Sequence, residues 1–212
     1  MADESLRRAC YLAALSRLQR GLAHDARSHL GSIALQFELI GELLERESPP
    51  GEGLARRLKP AVERGRAGLE RARRDFELAI GTLAPPAGEV LDLGACLAEL
   101  EALIAAGAAD RPVRWPAEPG ASPALRVAHP AIAREALSIA AIEMTFANPP
   151  GGPLEVSLDS SRAQARVSFA GAMPPHDACW RRAVEESLAS LGGSVRDGEA
   201  RLELVFPLLP MD

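Results

Sequence analysis

Residues 5–47 of the chain read SLRRACYLAALSRLQRGLAHDARSHLGSIALQFELIGELLERE and give the clearest indication of its fold. It contains no proline, and its apolar positions recur at steps of three and four residues, which is the period of one helix face. These positions are Leu12, Leu15, Gln19, Leu22, Ala26, His29/Leu30, Ile33, Phe37, Ile40 and Leu44, of which only Gln19 and His29 are polar. We therefore predict one amphipathic helix of about 40 residues, far longer than the ~11–12 residues of a typical globular helix.

A second long helix follows after a short break. The Pro/Gly-rich run 48–53 interrupts the first helix, and Pro60 is expected to kink the second helix or delay its start. The second apolar stripe comprises Leu58, Val62, Gly65, Leu69, Ala72, Phe76, Ala79/Ile80 and Leu83. Two such helices form an antiparallel hairpin with one apolar stripe each, which cannot enclose a core alone. We therefore predict a homodimer whose hairpins form a four-helix bundle.

The pattern changes at Pro85-Pro86, a pair that cannot continue a helix. Residues 1–84 carry a net charge of +2 and residues 85–212 a net charge of −7, so we place a boundary between domains 1–84 and 87–212. The second domain alternates helices with short strands: strands at 112–115, 124–128, 154–158 and 165–169, helices at 92–108, 130–146 and 177–191, and a hairpin at 194–206 turning at Asp197-Gly198. The predicted class is α+β, a helical hairpin followed by a small α/β sandwich.

Composition excludes several functions. The 212 residues carry a net charge of −5, with 47% hydrophobic and only 4% aromatic residues, which argues against a nucleic-acid surface. No stretch is long and apolar enough for a membrane span, and the arginines of the first 20 positions argue against a signal peptide, so we expect a cytoplasmic protein. Cys10, Cys96 and Cys179 lie far apart without a C-x-x-C pair, which predicts buried or unreactive thiols rather than disulfides or zinc.

His24 stands out among the four histidines. It is two residues from both Leu22 and Ala26, and two residues rotate a helix by about 200°, so its side chain should point away from the core. An exposed imidazole beside Asp25, with Arg20, Arg27 and Ser28 nearby, suits phosphoryl transfer. The imidazole is a nucleophile, the carboxylate can orient it, and arginine can neutralise phosphate charge.

The run His24-Asp25-Ala26-Arg27-Ser28-His29-Leu30 resembles the H-box of sensor histidine kinases, in which an acid, an arginine and a leucine follow the phosphorylated histidine. His29 stands where that box usually has proline. The resemblance implies that His24 is the phosphoacceptor, with Asp25, Arg27 and Ser28 as site residues. Ser28 lies where kinases with phosphatase activity often carry Thr or Asn. His29 is expected to pack on the core side of the helix.

The second domain resembles the ATPase domain of the same kinases in its order of elements, but its nucleotide motifs have changed. Ile139 and Glu143 stand where asparagines would ligate Mg²⁺, and Phe169 replaces the aspartate that reads adenine. The glycine-rich lid is absent, because only residues 172–175 separate Gly171 from the next helix. The resemblance thus implies a degenerate ATPase domain with no ATP or metal cofactor.

A preserved H-box with a degenerate ATPase domain is similar to histidine phosphotransferases of the ChpT type. That resemblance implies a phosphorelay intermediate whose partners are response-regulator receiver domains, which supply Mg²⁺, with a hybrid histidine kinase as a further partner. Whether the chain is an enzyme stays open, because a non-catalytic adaptor or pseudokinase that regulates a kinase or receiver is the alternative. An autokinase with an unusual ATP site is a third.

Overall fold

A computed structural model describes residues 4–46, 52–81, 89–116, 125–175 and 178–210. Most of the predicted 48–53 break and the Pro85-Pro86 boundary lie outside these residues. Within them, the chain is α+β, as predicted, with a helical hairpin and a small α/β region.

Two long helices begin the chain. Helix α1 runs from Glu4 to Arg46 and helix α2 from Glu52 to Gly81, so the first helix begins and ends within one residue of its predicted limits. The expected delay at Pro60 is wrong, because α2 begins ahead of that proline. Proline leaves the carbonyl four residues earlier without its helical donor, and that residue, Arg56, is exposed to water, which can replace the donor.

The chain forms two compact units, and α1 contributes to both. One unit is Arg20–Leu83; the other combines Met1–Gln19 with Ala84–Asp212. The predicted domain 1–84 placed all of α1 in the hairpin. The structure instead groups the first 19 residues with the α/β region. The boundary between the two units therefore lies between Gln19 and Arg20, within α1.

Three contacts within the Arg20–Leu83 unit show how α1 and α2 run relative to each other. From the start of α1 onward, His29 pairs with Asp75, the side chain of Ile33 lies against Gly68, and Arg64 Nε donates to Gln36 Oε1 at 3.1 Å. The partner numbers fall as the α1 numbers rise. The two helices are therefore antiparallel, and their shared stripe includes the buried side chains of Leu22, Ala26, Leu43 and Ala72.

A second apolar stripe on each helix remains exposed in the single chain. Along α1 it comprises Leu30, Phe37 and Leu44, and along α2 Val62, Leu69 and Phe76, in each case at intervals of seven residues. A seven-residue repeat keeps apolar side chains on one seam of a helix that packs against others. The predicted stripe is thus divided between the hairpin contact and this outer seam.

The α/β unit contains the remaining elements: β1 (Val90–Asp92), α3 (Leu93–Gly107), β2 (Val113–Arg114), β3 (Arg126–Ala128), α4 (Pro130–Ala147), β4 (Leu154–Ser160), β5 (Gln164–Ala170), α5 (Cys179–Ser190), β6 (Ser194–Gly198) and β7 (Arg201–Pro207). Five strands form a mixed sheet in the order β2-β4-β5-β7-β6, in which only the β2–β4 pair is parallel. Helix α4 contacts both α3 and α5, and α5 contacts β6 and β7. The predicted helix layer on a mixed sheet is therefore present.

Two details of this unit differ from the prediction. Strand β1 is not among the predicted strands; it pairs antiparallel with β3 and leads into α3, which Asp92 caps through bonds from the Gly94 and Ala95 amides. The β6–β7 turn is formed by Glu199 and Ala200 rather than Asp197-Gly198, since Gly198 still pairs with Arg201. Ala200 has a φ of 55°, so a non-glycine residue adopts the left-handed conformation that the turn requires.

The first part of α1 is an integral element of the α/β unit. Its buried residues are Cys10, Tyr11, Ala14, Leu15 and Leu18. Leu18 lies so close to Gly107 that a Cβ there would be 3.0 Å from the Leu18 carbonyl. Ion pairs from Arg7 and Arg8 to Glu135, at 2.7 and 2.8 Å, connect the same segment to α4.

Candidate functional site

His24 lies on the outer face of the hairpin helix. Its side chain is 80% exposed, as its helical spacing from Leu22 and Ala26 predicts. Its Nδ1 lies 3.1 Å from Asp25 Oδ1. If Nδ1 carries the proton and donates to that carboxylate, Nε2 keeps a free lone pair directed away from the contact. The pair thus presents an accessible nucleophilic nitrogen with an orienting carboxylate behind it.

Cationic and hydroxyl side chains share the face of His24. Arg20, Arg27 and Ser28 stand four residues before, three after and four after the histidine, and residues at these spacings are neighbours on a helix surface. All three are exposed. Within the part of the chain that the structure describes, neither arginine has an ion-pair partner, so both guanidinium groups are available to an incoming anion. The predicted site residues His24, Asp25, Arg27 and Ser28 therefore lie together on one accessible patch of α1, with Arg20 beside them.

His29 has different surroundings. Its Nε2 lies 3.6 Å from Asp75 Oδ2 on α2, and the side chain is only 30% exposed. This contact joins the two helices, in line with the predicted core-side packing. The His29 side chain is thus less accessible than that of His24. Asp75 was not singled out in the sequence, because an inter-helical contact depends on the register of two separate helices.

The side chains at the degenerate nucleotide motifs make contacts within the protein. Ile139 on α4 and Phe169 on β5 are fully buried in the apolar core. The Glu143 carboxylate accepts a hydrogen bond from Arg17 Nη1 at 2.6 Å. Burial raises the pKa of Glu143, and the adjacent Arg17 guanidinium partly opposes that increase.

Arg17 and Asn148 hold the region of the degenerate nucleotide motifs in place, and the sequence analysis did not identify either residue. Arg17 is separated from Glu143 by 126 residues, and nothing in the local pattern marks the pair. Asn148, buried at the end of α4, donates to the Met144 carbonyl at 2.8 Å and accepts from the Ala172 amide at 3.0 Å. Asn148 therefore fixes the turn after β5, where the kinase resemblance placed the adenine-reading motif.

Two kinds of feature are absent from the described residues. They contain no cluster of three or more histidine, cysteine or acidic side chains positioned for a metal ion. None of their helices combines the length and apolar character needed to cross a membrane.

The chain resembles proteins of known three-dimensional structure. No protein-family model matches the sequence, and no curated protein matches it. The chain is similar to the mycobacterial sensor histidine kinase MprB, with 15% identity and a TM-score of 0.46 over 58% of this chain and 99% of that one. It is also similar to a bacterial phosphotransferase (16% identity, TM-score 0.44, 92% and 95% covered) and to the catalytic domain of the histidine kinase ThkA (13%, 0.41, 56% and 94%). Because all three TM-scores are below 0.5, function has to be inferred from the chain's own residues.

Proposed function

We propose that this protein is a histidine phosphotransferase that relays phosphoryl groups between response-regulator receiver domains through His24. The observation that carries the proposal is the accessible His24–Asp25 pair, within a box of residues that resembles the histidine-kinase phosphoacceptor motif. An arginine on either side of the histidine supports a role with an anionic phosphoryl group.

In the proposed reaction, neutral His24 attacks the phosphorus of a receiver aspartyl phosphate in line with the bond that breaks. A nitrogen–phosphorus bond forms, the phosphorus–oxygen bond to the receiver breaks, and the receiver aspartate leaves as a carboxylate. The Nδ1–H bond to Asp25 stabilises the positive charge that develops on the imidazole. Arg20 and Arg27 lie where they can neutralise phosphoryl oxygens, and Mg²⁺ belongs to the receiver.

The proposal excludes Mg-ATP as a substrate of this chain, because the residues at the kinase motifs do not fit it. Ile139 offers no oxygen ligand, Glu143 is bound by Arg17, and Phe169 is enclosed by core residues. Titration calorimetry with Mg-ATP at millimolar concentration should give no saturable heat. Saturable binding with micromolar affinity would favour the autokinase alternative.

The chain is proposed to act as a homodimer, which the two outer seams of exposed apolar side chains support. A receiver would then dock beside His24 rather than on the seam. Leu35, which is 63% exposed, lies 11 residues after His24 and so close to the same helix face, where it offers apolar contact area.

The direct test is incubation with phosphorylated receiver domains from the same genome. Acid-labile phosphate on this chain, with loss of phosphate from the receiver, is the expected result. A receiver that binds while no phosphate ever reaches the chain would contradict the proposal and favour a non-catalytic adaptor.

A further inference from the structure

The α/β unit contains a pair of cysteines that come from distant parts of the sequence. Cys10 lies on the first part of α1, and Cys179 is the first residue of α5. The Cys10 thiol donates to Cys179 Sγ across 4.0 Å, although 169 positions separate the two residues. Their wide spacing in the sequence does not predict this proximity.

The two thiols differ in accessibility. Cys10 is buried and Cys179 is exposed, so a small oxidant in solution reaches Cys179 first. Desolvation, then the adjacent Cys179, raise the pKa of Cys10 to about 11, so Cys10 is a thiol rather than a thiolate at neutral pH. Since the thiolate is the form that reacts with peroxide, Cys10 is protected from direct attack.

We propose that Cys179 and Cys10 form a peroxide-sensitive modification site, in which oxidation of Cys179 is followed by a disulfide between the two residues. Sulfur atoms in a disulfide are about 2.05 Å apart, so they have to approach by roughly 2 Å. Cys179 is the exposed member of the pair, so its side chain is the less constrained of the two.

The reaction needs one equivalent of hydrogen peroxide. The Cys179 thiolate attacks a peroxide oxygen, which breaks the O–O bond and gives a sulfenic acid and hydroxide. Cys10 sulfur then attacks the Cys179 sulfur, a disulfide forms, and the sulfenic oxygen leaves as water with the Cys10 proton. Two thiols are oxidised by two electrons, and peroxide is reduced to two waters. Oxidation of Cys179 also changes the neighbouring group whose Coulombic interaction and hydrogen bond, after desolvation, help to raise the pKa of Cys10.

The disulfide would fasten the first part of α1 to α5. In the reduced protein this segment is held by burial and by ion pairs such as Arg7–Glu135. A covalent bond at Cys10 would restrict its local opening, because a cross-link between distant positions removes conformational freedom from the open states. The site would thus couple the oxidation state of the cell to the anchoring of the helix that also carries His24.

The test uses the full-length protein, treated with hydrogen peroxide and then with a thiol-blocking reagent. Unreduced peptide mapping should find a Cys10–Cys179 disulfide and an intact mass lower by two hydrogen atoms. Cys96→Ser is the matched control, since burial raises the pKa of Cys96 to about 12 and this thiol has no part in the pair. That variant should form the disulfide as readily as the wild type.

Two further results decide the proposal. In Cys10→Ser, the Cys179 sulfenic acid should persist and be trapped by dimedone, whereas in the wild type trapping should be several-fold weaker. Hydrogen exchange of residues 4–19 should slow in the oxidised wild type. Equal dimedone trapping in both proteins, a disulfide between two chains through Cys179, or unchanged exchange in this segment would overturn the proposal.

Discussion

His24 and His29 lie five residues apart on one helix but have different surroundings. His24 is exposed and pairs with its neighbour Asp25, whereas His29 pairs with Asp75 on the second helix. Five residues rotate a helix by about 140°, which is enough to separate an accessible nucleophile from an inter-helical contact. The candidate site therefore depends on helix geometry.

The Asp25 carboxylate should matter for rate but not for whether transfer occurs. In the Asp25→Asn variant the side-chain amide oxygen can still accept the Nδ1–H bond, but the charge that stabilises the imidazolium is lost. We expect transfer from a phosphorylated receiver to slow within the ~10²–10⁴-fold range of acid–base and electrostatic contributions. Single-turnover transfer kinetics measure this, and a rate equal to that of the wild type would remove Asp25 from the mechanism.

Hydrophobic periodicity predicted most helices and strands of the described residues. The long helix has no proline and a sustained stripe, so its limits could be read to within one residue. Strand β1 is only three residues long, and its place depends on pairing with β3, which no local pattern contains. The role of the first part of α1 was missed for the same reason, since Arg17 meets Glu143 through tertiary structure alone.

Loss of Arg17 should destabilise the protein in a pH-dependent way. Burial raises the Glu143 pKa above its ordinary value of 4.5, so the folded state retains this proton at a higher pH than the unfolded state does. The free energy of unfolding therefore falls as pH rises from 4.5 through the folded pKa. In Arg17→Ala the opposing guanidinium is gone, so the folded pKa rises further and the decline extends to a higher pH.

We expect Arg17→Ala to lower the free energy of unfolding by about 1–3 kcal/mol at pH 7, the cost of an unsatisfied buried polar group, and by less near pH 4. Urea denaturation at the two pH values measures the difference. Arg114→Ala is a matched control, because Arg114 pairs with Glu155 on an exposed surface and should change stability by no more than ~1 kcal/mol. An equal loss at both pH values would contradict the account of Glu143.

For the molecule as a whole, the exposed apolar seam of the hairpin predicts a homodimer. Phe37 and Leu35 are 66% and 63% exposed and lie two residues apart, so they point to nearly opposite sides of α1. Only Phe37 belongs to the seven-residue repeat with Leu30 and Leu44. The two residues therefore form a matched pair for distinguishing the proposed dimer seam from the face that carries His24.

We expect Phe37→Glu to convert the proposed dimer to a monomer, because it places two copies of a charge in an apolar seam. Leu35→Glu should leave the dimer intact. Light scattering at micromolar concentration should give twice the 22.5 kDa chain mass for the wild type and Leu35→Glu, and one chain mass for Phe37→Glu. A monomeric wild type, or dissociation by Leu35→Glu alone, would show that the seam is wrongly assigned.

Label transfer from a phosphorylated receiver to single-histidine variants tests whether His24 carries the phosphoryl group. His24→Ala should abolish acid-labile phosphate on the chain while receiver binding and the circular dichroism spectrum stay unchanged, because exposed substitutions typically alter stability by no more than ~0.5 kcal/mol. His29→Ala, whose native side chain contacts Asp75, should retain the label. Label that persists in His24→Ala and disappears in His29→Ala would contradict the account.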